Sequence, residues 1–271
     1  MITKTHAHVS RVTHRVGWVA ATMAAVLLAA PAGAQWRNLP TAGIPLDASG
    51  RPDLSAPTPR DGNGRVDLSG IYSSDIRYFR NLAADLGLEN VPMTPEARRI
   101  RESREGGLLS YLEPDSRCLP QGVPKINMAP VPFKIVQTDT LVVLVYEAFT
   151  LWRQVFLDDR EFADDLNPAW LGYSKGRWEG DELVVETRGL NGKQWLDNGG
   201  LPTSDKLTVI ERFRRPTFGQ LEIDVTIDDP TYYTRPWTVT TKARRMLGTE
   251  LLEFICPENE KSTPHMGPHI Q

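Results

Sequence analysis

The second half of the chain alternates apolar and polar residues with a period of two. The clearest run is 220–228, where Leu221, Ile223, Val225 and Ile227 interleave with Glu222, Asp224, Thr226 and Asp228 to give one dry and one wet face. Similar β-rich runs occupy 133–137, 141–147, 151–157, 173–178, 182–187, 207–214, 237–243 and 251–256, bounded by turn residues. No helical periodicity separates them. This argues for an antiparallel meander, and up to nine strands in up-and-down order predict a mainly β fold closed into a barrel, because closure removes exposed edges. One pair of runs writes its own register. Folding 173–178 onto 182–187 around Gly180-Asp181, a glycine-first hairpin turn, sets Trp178 against Leu183, Arg177 against Val184, Gly176 against Val185 and Lys175 against Glu186.

Ahead of the strands the alternation stops. Residues 35–130 are broken repeatedly by Pro and Gly and predict an irregular arm packed on the barrel. Its clear element starts at Thr94-Pro95-Glu96, a capping Thr with Pro at the first helical position, and is stopped by Gly106-Gly107. A second short helix is expected over 80–86, and no internal repeat is read. The first residues carry Lys4, Arg11 and Arg15 without an acid, then an apolar run over 16–30 and the small residues Pro31-Ala32-Gly33-Ala34. That run falls short of the roughly 18 residues a membrane span needs, and it predicts a secretory signal cut after Ala34. The absence of an Arg-Arg pair favours Sec export to the periplasm or beyond. The expected organisation is signal 1–34, arm 35–130, barrel 131–257 and flexible tail 258–271.

Loss of the signal removes three cations and takes the formal charge from −3 to −6 (28 minus 34). Such an acidic product has no electrostatic footprint for nucleic acid, and no second apolar run would insert it into a membrane. Cys118 and Cys256 are the two cysteines, and an even pair in an exported chain reads as a disulfide; free or catalytic thiols are the alternative. Nothing in the chain specifies an oligomeric state.

Candidate chemistry is sparse. Gly172-Tyr173-Ser174-Lys175-Gly176 fits Gly-x-Ser-x-Gly, and Ser174, Asp197 and His265 follow the chain order of a hydrolase triad, but that motif needs a helix after the serine and here a hairpin follows. His265 and His269, with no third ligand nearby, do not make a metal site. No glycine-rich loop cradles a phosphate or dinucleotide, so no cofactor is expected. A charge on an apolar face is the sharper clue. Alternation places Glu211 beside Leu207, Val209 and Phe213, and Arg153, between Leu151 and Val155, is a partner of the same parity. A buried carboxylate must be paired or raised in pKa, which suits either a structural ion pair or a general acid or base. Trp170, Tyr173, Trp195, Tyr233 and Trp237 gather at strand ends, with Asp197 and Arg235 next to two of them, as in the mouth of a pocket for an aromatic or partly apolar ligand.

The blocks Pro132-Phe133-Lys134-Ile135-Val136-Gln137-Thr138, Gly172-Tyr173-Ser174 through Thr187, Trp195-Leu196-Asp197, Glu211-Arg212-Phe213-Arg214-Arg215 and Tyr233-Thr234-Arg235-Pro236-Trp237 resemble a large family of exported bacterial proteins of unknown function. The resemblance spans nearly all of the mature chain and implies a lipocalin-like (calycin-like) barrel. The chain departs at Pro202-Thr203-Ser204, where many members carry Pro-His-Ser or Pro-His-Thr.

Three functions compete. The first is an exported barrel that binds a small, partly apolar or aromatic molecule in its interior, with Arg153, Trp170, Tyr173, Trp195, Tyr233, Arg235 and Trp237 as the binding set. The second is a cofactor-free isomerase, lyase or hydrolase using Glu211 or Asp197 as acid or base. The third is an envelope interaction protein that uses the arm.

Overall fold

The computed structural model describes residues 39–107, 109–258 and 261. The expected signal, His265 and His269 lie outside the described residues. Nine strands close into one barrel: β1 (Gly70–Ser74), β2 (Phe133–Gln137), β3 (Leu141–Tyr146), β4 (Leu151–Phe156), β5 (Tyr173–Glu179), β6 (Glu182–Arg188), β7 (Thr208–Thr217), β8 (Gln220–Asp228) and β9 (Trp237–Met246). Neighbours in sequence are neighbours in the wall, and β9 pairs back onto β1. All pairs are antiparallel except β4 and β5, which meet in parallel at Val155↔Ser174 and Phe156↔Lys175. A parallel step needs a return crossover, which 157–172 supplies.

The hairpin register matches the sequence reading residue for residue, and Gly180 takes the positive φ (63°) its turn requires. The charge pairing does not match. Lys175 reaches Glu161 and Glu186 reaches Arg188, although the two face each other across the strands.

Three sequence expectations need correction. Residues 251–256 form no strand; the ninth strand is β1, taken from the segment read as irregular arm. Gly70-Ile71-Tyr72-Ser73-Ser74 is short and its alternation is masked, since Ile71 and Tyr72 are both buried. The short helix α1 (Ile76–Arg80), capped by Asp75, ends where a helix was expected to begin; α2 (Pro95–Ser103) has the expected Thr94 cap and leading Pro. Finally, the arm does contain a repeat. Asp47-Ala48-Ser49-Gly50-Arg51 and Asp61-Gly62-Asn63-Gly64-Arg65 fold into matching turns, each Asp accepting from the backbone N–H groups two and four residues on. Each is followed by Asp-Leu-Ser at Asp53 and Asp67.

Between β1 and β2, residues 75–132 lie across one end of the barrel, joined there by the loops 189–207 and 229–236. The hairpin turns of β2–β3, β5–β6 and β7–β8 form the other end. Cys118 and Cys256 are bonded, with Cα atoms 5.4 Å apart, and this ties the arm to the segment after β9. The interior is filled. Tyr72, Phe133, Leu144, Tyr146, Val209, Phe213 and Val225 point inward and are buried, with Phe133 stacked on Tyr72 and tilted against Tyr146. Open grooves of about 590, 500, 390 and 250 Å³ lie on the outer wall, lined by outward residues such as Lys242, Arg214, Lys134 and Arg177.

Candidate functional site

The predicted parity of Glu211 holds. It sits in β7 between Val209 and Phe213, with no exposed surface, and faces Arg153 from β4 across the lumen. Arg153 Nη2 donates to Glu211 Oε2 (2.5 Å) and Thr187 Oγ1 (2.7 Å), and its Nε donates to Ser174 Oγ (2.9 Å). Asn127, carried in from the arm by the 3-10 turn Lys125–Met128, donates to Glu211 Oε1 (2.5 Å) and accepts from the Tyr146 hydroxyl (2.6 Å). Burial, the largest influence, would lower the Arg153 pKa, but the charge of Glu211, the Tyr146 phenol and the hydrogen bonds to both together outweigh it and hold the guanidinium above its ordinary value. Burial pushes the Tyr146 phenol up, so it stays a neutral donor. Each Glu211 oxygen therefore has a donor, and Ser174 is a partner of Arg153 and Thr187 inside a strand, not a nucleophile on a turn.

A second polar cluster lies at the arm end. Residues 121–129 are buried without a break, although they include Gln121, Lys125 and Asn127. Lys125 contacts Glu113, lies 3.4 Å from Asp115 Oδ2 and sits 4.7 Å from the centre of the Phe79 ring. Burial pulls its pKa down to about 7, against the opposing charge of Asp197. Asp197 is itself buried, accepting from the backbone N–H of Leu82 (2.8 Å) and Leu201 (3.3 Å), and burial raises its pKa. It thereby fastens the β6–β7 loop to the arm. Arg104, at the end of α2, lies 4.1 Å over the Trp195 ring and donates to the Gly200 carbonyl (3.0 Å). Tyr233 packs on Trp237 at 5.4 Å and donates to the Pro202 carbonyl (2.9 Å).

This cluster is incompletely bonded. Gln194 is 1% exposed, yet neither its amide oxygen nor its amide nitrogen has a partner. Gln121 Oε1 and Trp237 Nε1 are likewise buried and unbonded. The close fit of Gly122 explains how Gln194 is held: a Cβ there would come within 2.7 Å of Gln194 Cγ, and Gly122 has a positive φ of 73°.

Of the residues singled out in the sequence, Trp195, Asp197, Tyr233 and Trp237 meet at the arm end and are buried. Tyr173 opens β5 at the same end but is 41% exposed; Trp170 is half-buried and Arg235 exposed. Arg153 and Glu211 pair in the interior, one layer in. Sequence reasoning missed Glu113, Gln121, Lys125, Asn127 and Gln194. One signal was available: Lys125 and Asn127 interrupt the otherwise apolar stretch 123–130, Val-Pro-Lys-Ile-Asn-Met-Ala-Pro.

Comparison with family models, curated proteins and solved structures returns no match, so the site rests on its own geometry.

Proposed function

We propose that this is an exported small-molecule-binding barrel whose partly apolar or aromatic ligand is held at the arm end of the barrel, between the arm and the β6–β7 and β8–β9 loops. One observation carries the reading: the buried Gln194 amide, unbonded at both atoms, packed against Gly122 of the arm and next in sequence to the buried Trp195. An unmet buried polar group costs about 1–3 kcal/mol. A fold retains that cost where something else supplies the partner. Aromatic walls with a few convergent polar groups suit a ligand with an apolar body and a donor–acceptor edge. Because inward side chains fill the lumen, the reading assigns the ligand to this mouth and not to the interior. Beside the cluster the arm is built of the short 3-10 turns Ser110–Leu112 and Pro114–Arg117, and the Cys118–Cys256 bond ties it to the segment after β9. The acid-base reading has less behind it, because Glu211 and Asp197 already spend their oxygens on Arg153, Asn127 and two backbone N–H groups.

The test is a titration of tryptophan emission with a panel of aromatic alcohols, amides and lactams. Saturable quenching is expected, and Gln194→Leu should weaken it at least tenfold while raising unfolding stability by about 1–3 kcal/mol, since a near-isosteric hydrocarbon replaces an unmet amide. Absence of saturable quenching across the panel, or unchanged affinity in Gln194→Leu, would overturn the reading.

A further inference from the structure

Lys125 is the sole buried lysine among the described residues; Lys193, Lys206, Lys242 and Lys261 are exposed, while Lys134 and Lys175 are partly exposed and paired with Glu250 and Glu161. A buried lysine needs a reason. Its ammonium loses hydration on burial, and that desolvation favours the neutral amine, the nucleophilic form. Two carboxyl groups stand beside it: Glu113 in contact, and Asp115 with Oδ2 at 3.4 Å. Burial raises the pKa of Asp115 above the usual carboxylate value, the direction that suits a group passing a proton to the ligand. Phe79 covers one side of the amine at 4.7 Å and helps keep water away. The unbonded Gln121 Oε1 lies on a side chain whose Nε2 donates to the same Asp115 (3.1 Å). Amine, paired carboxyl groups, aromatic cover and an unmet acceptor are the parts that imine formation uses.

We propose that Lys125 captures the carbonyl group of an aldehyde or ketone ligand as a protonated imine. This rests on the arm end being a ligand site. The neutral Nζ attacks the carbonyl carbon, the C–N bond forms, and the electron pair of the C=O π bond moves to oxygen. A proton passes from nitrogen to that oxygen by way of Glu113 or Asp115. The carbinolamine oxygen takes one more proton from the carboxylic acid and leaves as water, so the C–O bond breaks and the carboxylate remains against the iminium. Taken from the ammonium form, ligand carbonyl plus Lys125 ammonium gives iminium plus water, with charge unchanged and no oxidant or reductant needed. The carboxylates stabilise the cation, and exclusion of water slows its hydrolysis.

The experiment uses the purified full chain with 2-naphthaldehyde and sodium cyanoborohydride at pH 7, and 2-naphthylmethanol as the matched compound that cannot form an imine. The expected result is one reduced adduct per protein, mapped to the peptide containing Lys125, with labelling of each exposed lysine at least tenfold lower. Both compounds should quench tryptophan emission saturably. Lys125→Met should lose the adduct and keep quenching by the alcohol; if that variant fails to fold, peptide mapping of the wild-type protein decides alone. Saturable quenching by both compounds with adducts confined to exposed lysines overturns the role of Lys125 and leaves the ligand site standing. No quenching by either and no adduct at Lys125 overturns both.

Discussion

Two polar clusters are buried in this protein, each with a member from the 3-10 turn Lys125–Met128, and they are finished to different degrees. In the interior, Glu211, Arg153, Asn127, Tyr146, Ser174 and Thr187 bond one another, leaving Arg153 Nη1 as the exception. At the arm end, Gln194, Gln121 and Trp237 keep buried polar atoms with no partner, and burial weakens the hold of Lys125 on its proton. The 3-10 turn Lys125–Met128 serves both: Lys125 belongs to the outer cluster, Asn127 to the inner. Burial of charge is therefore a poor pointer to function here. The two clusters differ in the degree to which their buried groups are satisfied, and the proposed ligand site rests on that difference.

The comparison breaks most sharply at the ion pair. Arg153→Met leaves the Glu211 carboxylate buried without its cation and should lower unfolding stability by about 3–5 kcal/mol. Arg153→Met with Glu211→Leu removes both charges and should recover most of that loss, as paired replacement of buried charges often does. Urea unfolding of the two variants measures this. Ligand titration of the double variant should match the wild type. A double variant that is as stable as the wild type yet blind to ligand would move the site into the interior.

The next test asks whether Lys125 is a second ion pair or a strained amine. Its folded pKa is held near 7 and its ordinary value is 10.5, so between these the unfolded chain binds a proton that the native chain lacks. Unfolding stability should therefore rise with pH in that window, by at most about 1.4 kcal/mol per pH unit, and the cost is fully present below it. Measured from pH 7 to 9, below the range where tyrosines ionise, the wild-type profile should climb relative to that of Lys125→Met. Parallel profiles would mean that Glu113 and Asp115 hold the ammonium fully charged, and the two clusters would then be alike in kind.

How much of this was legible in sequence follows from what alternation can and cannot encode. The period-two runs gave eight of the nine strands and the inward parity of Glu211 and Arg153, because a strand with one dry face must write that face every second residue. The hairpin register followed from one glycine turn. By contrast β1, buried on successive residues, has no alternation to read, and 251–256 looks like a strand in composition but pairs with nothing. The outer cluster was hidden for a related reason. Glu113 caps one 3-10 turn, Lys125 opens another and Gln121 lies between them, all in a Pro-rich stretch without a period, and their burial arises from where the arm lands. Trp195, Asp197, Tyr233 and Trp237 were visible because loops at strand ends of an up-and-down barrel share a mouth, whatever their side chains do there.

The smallest expected effect compares cations at the two ends of the barrel. Arg104 is partly buried over Trp195, its pKa lowered to about 10 by burial, and it donates to Gly200. Arg60 makes a two-pronged pair with Asp181 at the hairpin end, where both side chains are largely exposed. Contact geometry alone would rank Arg60 higher. Solvent reverses the order, since exposed pairs contribute about 0–1 kcal/mol whereas a partly desolvated cation over an indole contributes about 1–2 kcal/mol. Arg104→Gln should therefore cost about 1 kcal/mol and shift Trp195 emission, while Arg60→Gln should stay within about 0.5 kcal/mol and leave emission unchanged. Thermal unfolding in low and high salt distinguishes them further: the small Arg60 contribution should vanish at high salt, and the larger Arg104 contribution should persist, because a partly buried cation stacked on an indole is screened less than one in water.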